Sequence, residues 1–134
     1  MSIEKLKLPK IKDVRGNLTF IQNLDGSFPF SINRIFYMYD IPSGSYRGAH
    51  AHKNLEQFII AISGSFELIT EASEGKKSFF LNNPHEGIYV PSMTWQYLQN
   101  FSSGAVCLVL ASDVYKEDDY IRDYDTFKKL LEDD

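Results

Sequence analysis

Two of the three histidines in this chain, His50 and His52, stand one residue apart in the segment Gly44-Ser-Tyr-Arg47-Gly-Ala-His50-Ala-His52-Lys-Asn-Leu-Glu56. In an extended strand, alternate residues share a face and lie about 6.5 Å apart along the backbone, so both imidazoles can converge on one small molecule. Carried forward in phase, the alternation brings Glu56, Phe58, Ile60 and Ile62 to that face. If the apolar members of the set face a core, the histidines and the carboxylate face it too. Burying two imidazoles beside a carboxylate is costly, and strands fill such positions more cheaply with apolar residues, which favours a functional site over packing. Such a set can hold a metal, or, without one, its imidazoles can transfer protons, because their ordinary pKa of about 6.5 lies close to neutrality. The third histidine, His85, sits in an Asn-Asn-Pro-His-Glu-Gly turn and is expected to be an exposed turn residue.

The elements that must present these groups are short β-rich runs: Leu18 to Leu24, Asn33 to Ile41, Gln57 to Ile62, Ser65 to Thr70, Lys77 to Leu81, Gly87 to Val90, Thr94 to Gln99 and Ala105 to Ala111. Turn residues separate them, at Asp25-Gly26, Pro42-Ser43-Gly44, Ser63-Gly64, Glu74-Gly75, Asn82-Asn83-Pro84, Pro91-Ser92 and Ser102-Ser103-Gly104. About eight strands joined this way predict an all-β sandwich or barrel. Only the tail changes period. There Phe127, Leu130 and Leu131 recur at helical spacing behind Asp123 and Asp125 as caps, which predicts one short C-terminal helix.

With 134 residues, 43% of them hydrophobic and 24% charged, the chain is read as one domain spanning residues 1–134 with an ordinary globular core. A net charge of −4 argues against a nucleic-acid surface. The longest apolar run, Ala105 to Ala111, is too short to cross a membrane as a helix, and Met1-Ser-Ile-Glu-Lys5 lacks an apolar leader, so a cytoplasmic protein without membrane partners is expected. The single cysteine, Cys107, lies inside that apolar run and is expected in the core. Three of the four arginines, Arg15, Arg34 and Arg47, fall in the first third of the chain. A small anionic ligand is still allowed.

Gly44, five residues, His50-x-His52, three residues and Glu56 resemble the first motif of the cupins, small jelly-roll β-barrels; the closing glycine is displaced by one, to Gly64. The second cupin motif corresponds to Gly87-Ile-Tyr-Val-Pro91-Ser-Met93-Thr-Trp95-Gln96, with Met93 in place of a glycine and Gln96 in place of the fourth metal-binding histidine. Glutamine is a poor ligand for metals that favour imidazole, so no metal is expected.

A resemblance over nearly the whole chain rests on Asp13-x-Arg15-Gly16-x-Leu18, Arg34-Ile-Phe-Tyr37, Arg47-Gly-Ala-His50-Ala-His52-Lys53, Ala111-Ser-Asp113-x-Tyr115 and Tyr120-Ile-Arg122-Asp-Tyr124-Asp. In these blocks the chain is similar to the sugar 3,4-ketoisomerases of deoxyamino sugar biosynthesis. That resemblance implies a cupin-type jelly roll and a cofactor-free isomerase that moves the ketone of dTDP-4-keto-6-deoxyglucose from C4 to C3. It implies His52 as the proton shuttle, His50 as its partner and Tyr37 at the keto oxygen, with Arg15, Arg34, Arg47, Lys53 and Gln96 binding the substrate. It also implies a homodimer, and the 14% aromatic content, more than a small barrel core readily hides, agrees with that.

Three alternatives stand beside it. One is a nucleotide-sugar 3,5-epimerase, whose layout pairs a histidine base with a distant aspartate, a pattern not visible in the linear order of residues. The others are a metal-dependent cupin enzyme and a cupin that binds a nucleotide sugar without turnover.

Overall fold

The computed structural model describes residues 1–23 and 26–133. Twelve strands account for nearly half of this length: β1 (Glu4–Lys7), β2 (Lys10–Asp13), β3 (Gly16–Thr19), β4 (Arg34–Met38), β5 (Arg47–His52), β6 (Gln57–Ser63), β7 (Phe66–Ala72), β8 (Gly75–Leu81), β9 (Glu86–Val90), β10 (Trp95–Gln99), β11 (Val106–Ala111) and β12 (Tyr120–Ile121). One turn of 3-10 helix, Glu117–Asp119, precedes β12, and α1 (Tyr124–Glu132) follows it. All pairings are antiparallel. They form two five-stranded sheets, ordered β1-β9-β6-β11-β4 and β12-β5-β10-β7-β8, with β2 and β3 as a separate hairpin. This is the cupin-like all-β sandwich expected from the sequence, closed by the expected helix.

Packing follows strand parity. Ile59, Ala61, Phe66, Leu68, Ile88, Val90, Leu98, Cys107 and Val109 fill the space between the sheets. The alternate residues Phe58, Ile60, Tyr89 and Leu110 face outward beneath Leu6, Phe28 and Phe30. Both faces of β6 are therefore buried, which is why polarity along this strand gave no phase. Cys107 is fully buried, as expected, and burial pushes its thiol up to about 12. At the other end of the sandwich, α1 lays Phe127 on Ala51, Trp95 and Ile121, so it covers the back of β5 and β10. Asp123 caps α1 by accepting from the Thr126 N–H at 3.0 Å. Glu71 clamps the helix to β7 by accepting from Tyr124 Oη (2.8 Å) and Lys128 Nζ (3.0 Å).

Several strand expectations shift. The Leu18 to Leu24 run is a strand only to Thr19; Leu24 and the Asp25 of its predicted turn lie outside the described residues. Strands β1, β2 and β12 carry no apolar alternation strong enough to announce them: β1 and β12 pair with β9 and β5, far away in sequence, and β2 is exposed along its whole length.

Candidate active site

Strand β5 lies between β10 and β12, so His50 sits opposite Gln96 and His52 opposite Tyr120. Three residues of β10, Gln96 to Leu98, lie opposite four of β5, His50 to Arg47. Gly48 takes up the extra residue at φ 77°, a conformation that glycine adopts freely. The bulge turns the end of β5 inward at a cavity of about 320 Å³. His50, Gln57, Gln96, Tyr120, Arg47 and Arg122 provide its polar wall, and Phe36, Met38, Ile59, Leu98 and Val109 its apolar floor.

The two imidazoles meet edge to face, with centroids 4.8 Å apart, and both pack against the Tyr120 ring, at 5.0 Å for His50 and 4.4 Å for His52. Their exposures differ. His50 lines the cavity, whereas His52 is 3% exposed and lies behind it. Burial lowers the His50 pKa to about 4, with the neighbouring His52 and Arg122 adding to the shift. Burial does the same for His52, also to about 4, against the opposing pull of the Asp119 carboxylate; Arg34 and Arg122 push it down further. Both rings are therefore neutral at pH 7, each with one N–H to donate and one lone pair to accept a proton.

Asp119 reaches His52 from the 3-10 turn. Its Oδ2 lies 3.5 Å from His52 Nδ1, an ion-pair distance at which the alignment falls short of a hydrogen bond. The same carboxylate accepts from Asn54 N–H (2.9 Å) and Leu55 N–H (3.1 Å) in the loop after β5. On the cavity wall, Gln96 Nε2 donates to Gln57 Oε1 at 2.7 Å. At the rim, the Arg122 guanidinium lies 4.3 Å from the Tyr120 ring centroid and donates twice to Glu117, at 2.9 and 2.8 Å.

The family model described as FdtA: WxcM-like, C-terminal, matches residues 1–132. The chain belongs to this family. A curated relative, the TDP-4-oxo-6-deoxy-alpha-D-glucose-3,4-oxoisomerase of Aneurinibacillus thermoaerophilus, is 40% identical over 131 residues, covering 98% of this chain and 94% of the relative. Among solved structures, a 3,4-ketoisomerase from Helicobacter canadensis superposes with a TM-score of 0.92 at 43% identity, covering 98% of both chains. A mutant of the 3,4-ketoisomerase QdtA from Thermoanaerobacterium thermosaccharolyticum, in complex with TDP-4-keto-6-deoxyglucose, superposes at 0.93 with 33% identity, covering 98% of this chain and 95% of that one.

Of the residues the sequence singled out, this member of the FdtA family brings His50, His52, Arg47 and Gln96 together. Arg34 stands beside them, its guanidinium 4.5 Å from the centroid of the cavity-lining Phe36. Glu56 does not join: the loop between β5 and β6 resets the strand phase, so Gln57 and Ile59 face the cavity, and the Glu56 carboxylate accepts instead from Tyr89 Oη. The four-ligand set of a metal-binding cupin is accordingly not assembled, and among the described residues no group of three or more His, Cys, Asp or Glu side chains is arranged to hold a metal ion.

Tyr37 is also displaced from expectation. Alternation along β4 turns Phe36 and Met38 into the cavity and leaves Tyr37 60% exposed against Tyr39. Arg15 is exposed in the β2–β3 turn, paired with Asp13 at 2.7 Å, and Lys53 is exposed beside the loop; neither lines the cavity. Trp95 packs under α1, outside the barrel. His85 lines a different, larger cavity of about 490 Å³ on the outer face of the first sheet.

The sequence reading missed Gln57, Asp119, Tyr120 and Arg122 as site residues. Tyr120 and Arg122 belong to the Tyr-Ile-Arg-Asp-Tyr-Asp block that carried the resemblance, which was the available signal. Asp119 is one of three consecutive acidic residues and had none.

Proposed function

We propose that this protein is a sugar 3,4-ketoisomerase that converts TDP-4-keto-6-deoxyglucose to its 3-keto isomer, with His50 as the group that moves the proton. The observation that carries this reading is a pair of neutral imidazoles, one on the wall of a sugar-sized cavity and the other braced behind it. His50 accepts the C3 proton on its lone pair as the C4 ketone becomes an enediolate oxygen. The imidazolium returns a proton to C4, the C3 oxygen loses its hydroxyl proton to become the ketone, and the C4 oxygen gains one. The reaction is redox-neutral overall and the base is regenerated. A neutral imidazole N–H, with Arg47 and Arg122 on the same wall, suits the developing oxyanion and the pyrophosphate. The pyrophosphate charge offsets the field of Arg122 that depresses the basicity of His50 in the free enzyme.

This reverses the order of the histidines implied by the resemblance, because only His50 faces the cavity. Gln96, held by Gln57, is assigned to the sugar, and Arg34 to the phosphates. The distances and exposures offer no support for Tyr37, Arg15 or Lys53 acting within one chain. We further propose a cytoplasmic homodimer; among the described residues no helix is long and apolar enough to cross a membrane.

Proton NMR of the protein with TDP-4-keto-6-deoxyglucose in deuterium oxide tests the reading. The 3-keto isomer is expected, and His50→Asn should lower kcat by about 10²–10⁴, the usual contribution of an acid–base group. Deuterium at C5 with an unmoved ketone would mean an epimerase instead. A substrate that broadens without changing would mean a binding protein.

A further inference from the structure

Asp119 has no role in the reading above, yet its placement is specific. It is the carboxylate that approaches His52, and it arrives from the 3-10 turn, 67 positions along the chain. Two backbone amides and the Asn54 side chain fix its oxygens: Oδ1 accepts from Asn54 N–H and, at 3.2 Å, from Asn54 Nδ2, while Oδ2 accepts from Leu55 N–H. The backbone closes the same junction, since Lys53 N–H donates to Asp119 O at 2.9 Å. The carboxylate therefore cannot swing away from the ring without abandoning three donors. His52 Nδ1 is buried, and Asp119 Oδ2 faces it at 3.5 Å. The other groups facing the ring are His50 on its own strand, Tyr120 from β12, and the positive charges of Arg34 and Arg122.

From this geometry we infer that Asp119 is a positioning residue. It holds the His52 proton on Nδ1 and fixes the ring plane, so that His52 in turn sets the orientation of His50 at the substrate. A carboxylate beside one ring nitrogen favours the tautomer with hydrogen on that nitrogen and leaves the other as the acceptor. The 3.5 Å separation is of the kind that shortens when a substrate closes a site. The edge-to-face contact between the rings then passes the fixed orientation to His50, and a small misplacement of a reacting group is enough to cost about 100-fold in rate.

The inference rests on the isomerase reading for its kinetic consequence but not for its first test. Nitrogen-15 NMR of histidine-labelled wild-type protein at pH 7, assigned with His50→Asn and His85→Gln variants, reads the tautomer of each ring directly. His52 is expected as the Nδ1–H form; the Nε2–H form in the wild type would overturn the inference whatever the enzyme does. In Asp119→Asn the preference should be lost, with kcat about 100-fold lower and KM little changed. The His52 ring itself should titrate at lower pH in Asp119→Asn, because the carboxylate that favours its imidazolium has gone. Asp119→Glu should restore part of kcat. A wild-type preference that survives Asp119→Asn, or a loss of kcat with an unmoved His52 titration, would mean that Asp119 only braces the loop. No turnover by the wild type would refute the isomerase reading and leave the tautomer result standing.

Discussion

Burial makes the histidine pair unusual among the chain's ionisable groups. An exposed imidazole is half protonated at about pH 6.5, whereas His50 and His52 stay neutral until about pH 4. Between those values the unfolded chain binds protons that the folded chain refuses. Stability is therefore full above about pH 6.5 and falls as the pH drops towards 4. The urea midpoint is expected to be lower at pH 5 than at pH 7, and His50→Asn should flatten that difference. An unchanged slope in the variant would mean that the carboxylates carry it. The rate profile should likewise keep its acid limb well below pH 6. A limb near 6.5 would show that the working imidazole is not the buried one described here.

Strand β5 aims its histidines through a bulge. Gly48 holds φ 77° there, and a Cβ at this position would come within 3.8 Å of His50 Cε1. The contact is an ordinary one, so the cost of Gly48→Ala comes from the backbone: about 1–2 kcal/mol for a left-handed residue with a side chain. The chain tolerates one such residue nearby. Met93, standing where the cupin motif has glycine, keeps φ 57° and donates its N–H to His52 O at 2.7 Å. Gly48→Ala should lower the thermal midpoint by several degrees and reduce kcat more than its stability loss explains, because relaxing the bulge turns His50. Full activity at the lower midpoint would show that β10 and β12 hold the histidine without the bulge. Behind β5, the α1 clamp on Glu71 is independent of this device, as it packs on Ala51 and Trp95 from the outer side.

For the molecule as a whole, the sandwich leaves an apolar surface on its first sheet. Ile35, Tyr37, Tyr39 and Ile62 are 58%, 60%, 60% and 44% exposed, and Ile11, Leu18 and Phe20 of the hairpin region add to the exposed apolar surface. Surface of that kind in a soluble chain marks an interaction site. The proposed homodimer predicts a light-scattering mass of twice 15.4 kDa. Replacing Ile35 and Tyr37 together by lysine should yield monomers. A wild-type protein of monomer mass would reject the dimer and leave the exposed Tyr37 without a partner.

Turn residues and apolar runs were enough to specify an all-β fold with a C-terminal helix, since both signals are local. The His50-x-His52 spacing was enough to place two imidazoles on one face, because β5 is continuous across it. Phase does not survive a loop, however. Residues 53–56 break the strand, so extrapolating alternation put Glu56 in the site when Gln57 belongs there, and Tyr37 lost its place to Phe36 and Met38 for want of a known phase on β4. Which histidine meets the cavity depends on its depth below β10 and β12. The approach of Asp119 depends on a return of the chain 67 residues later. Contacts of that range are made by packing, and no spacing within the sequence records them.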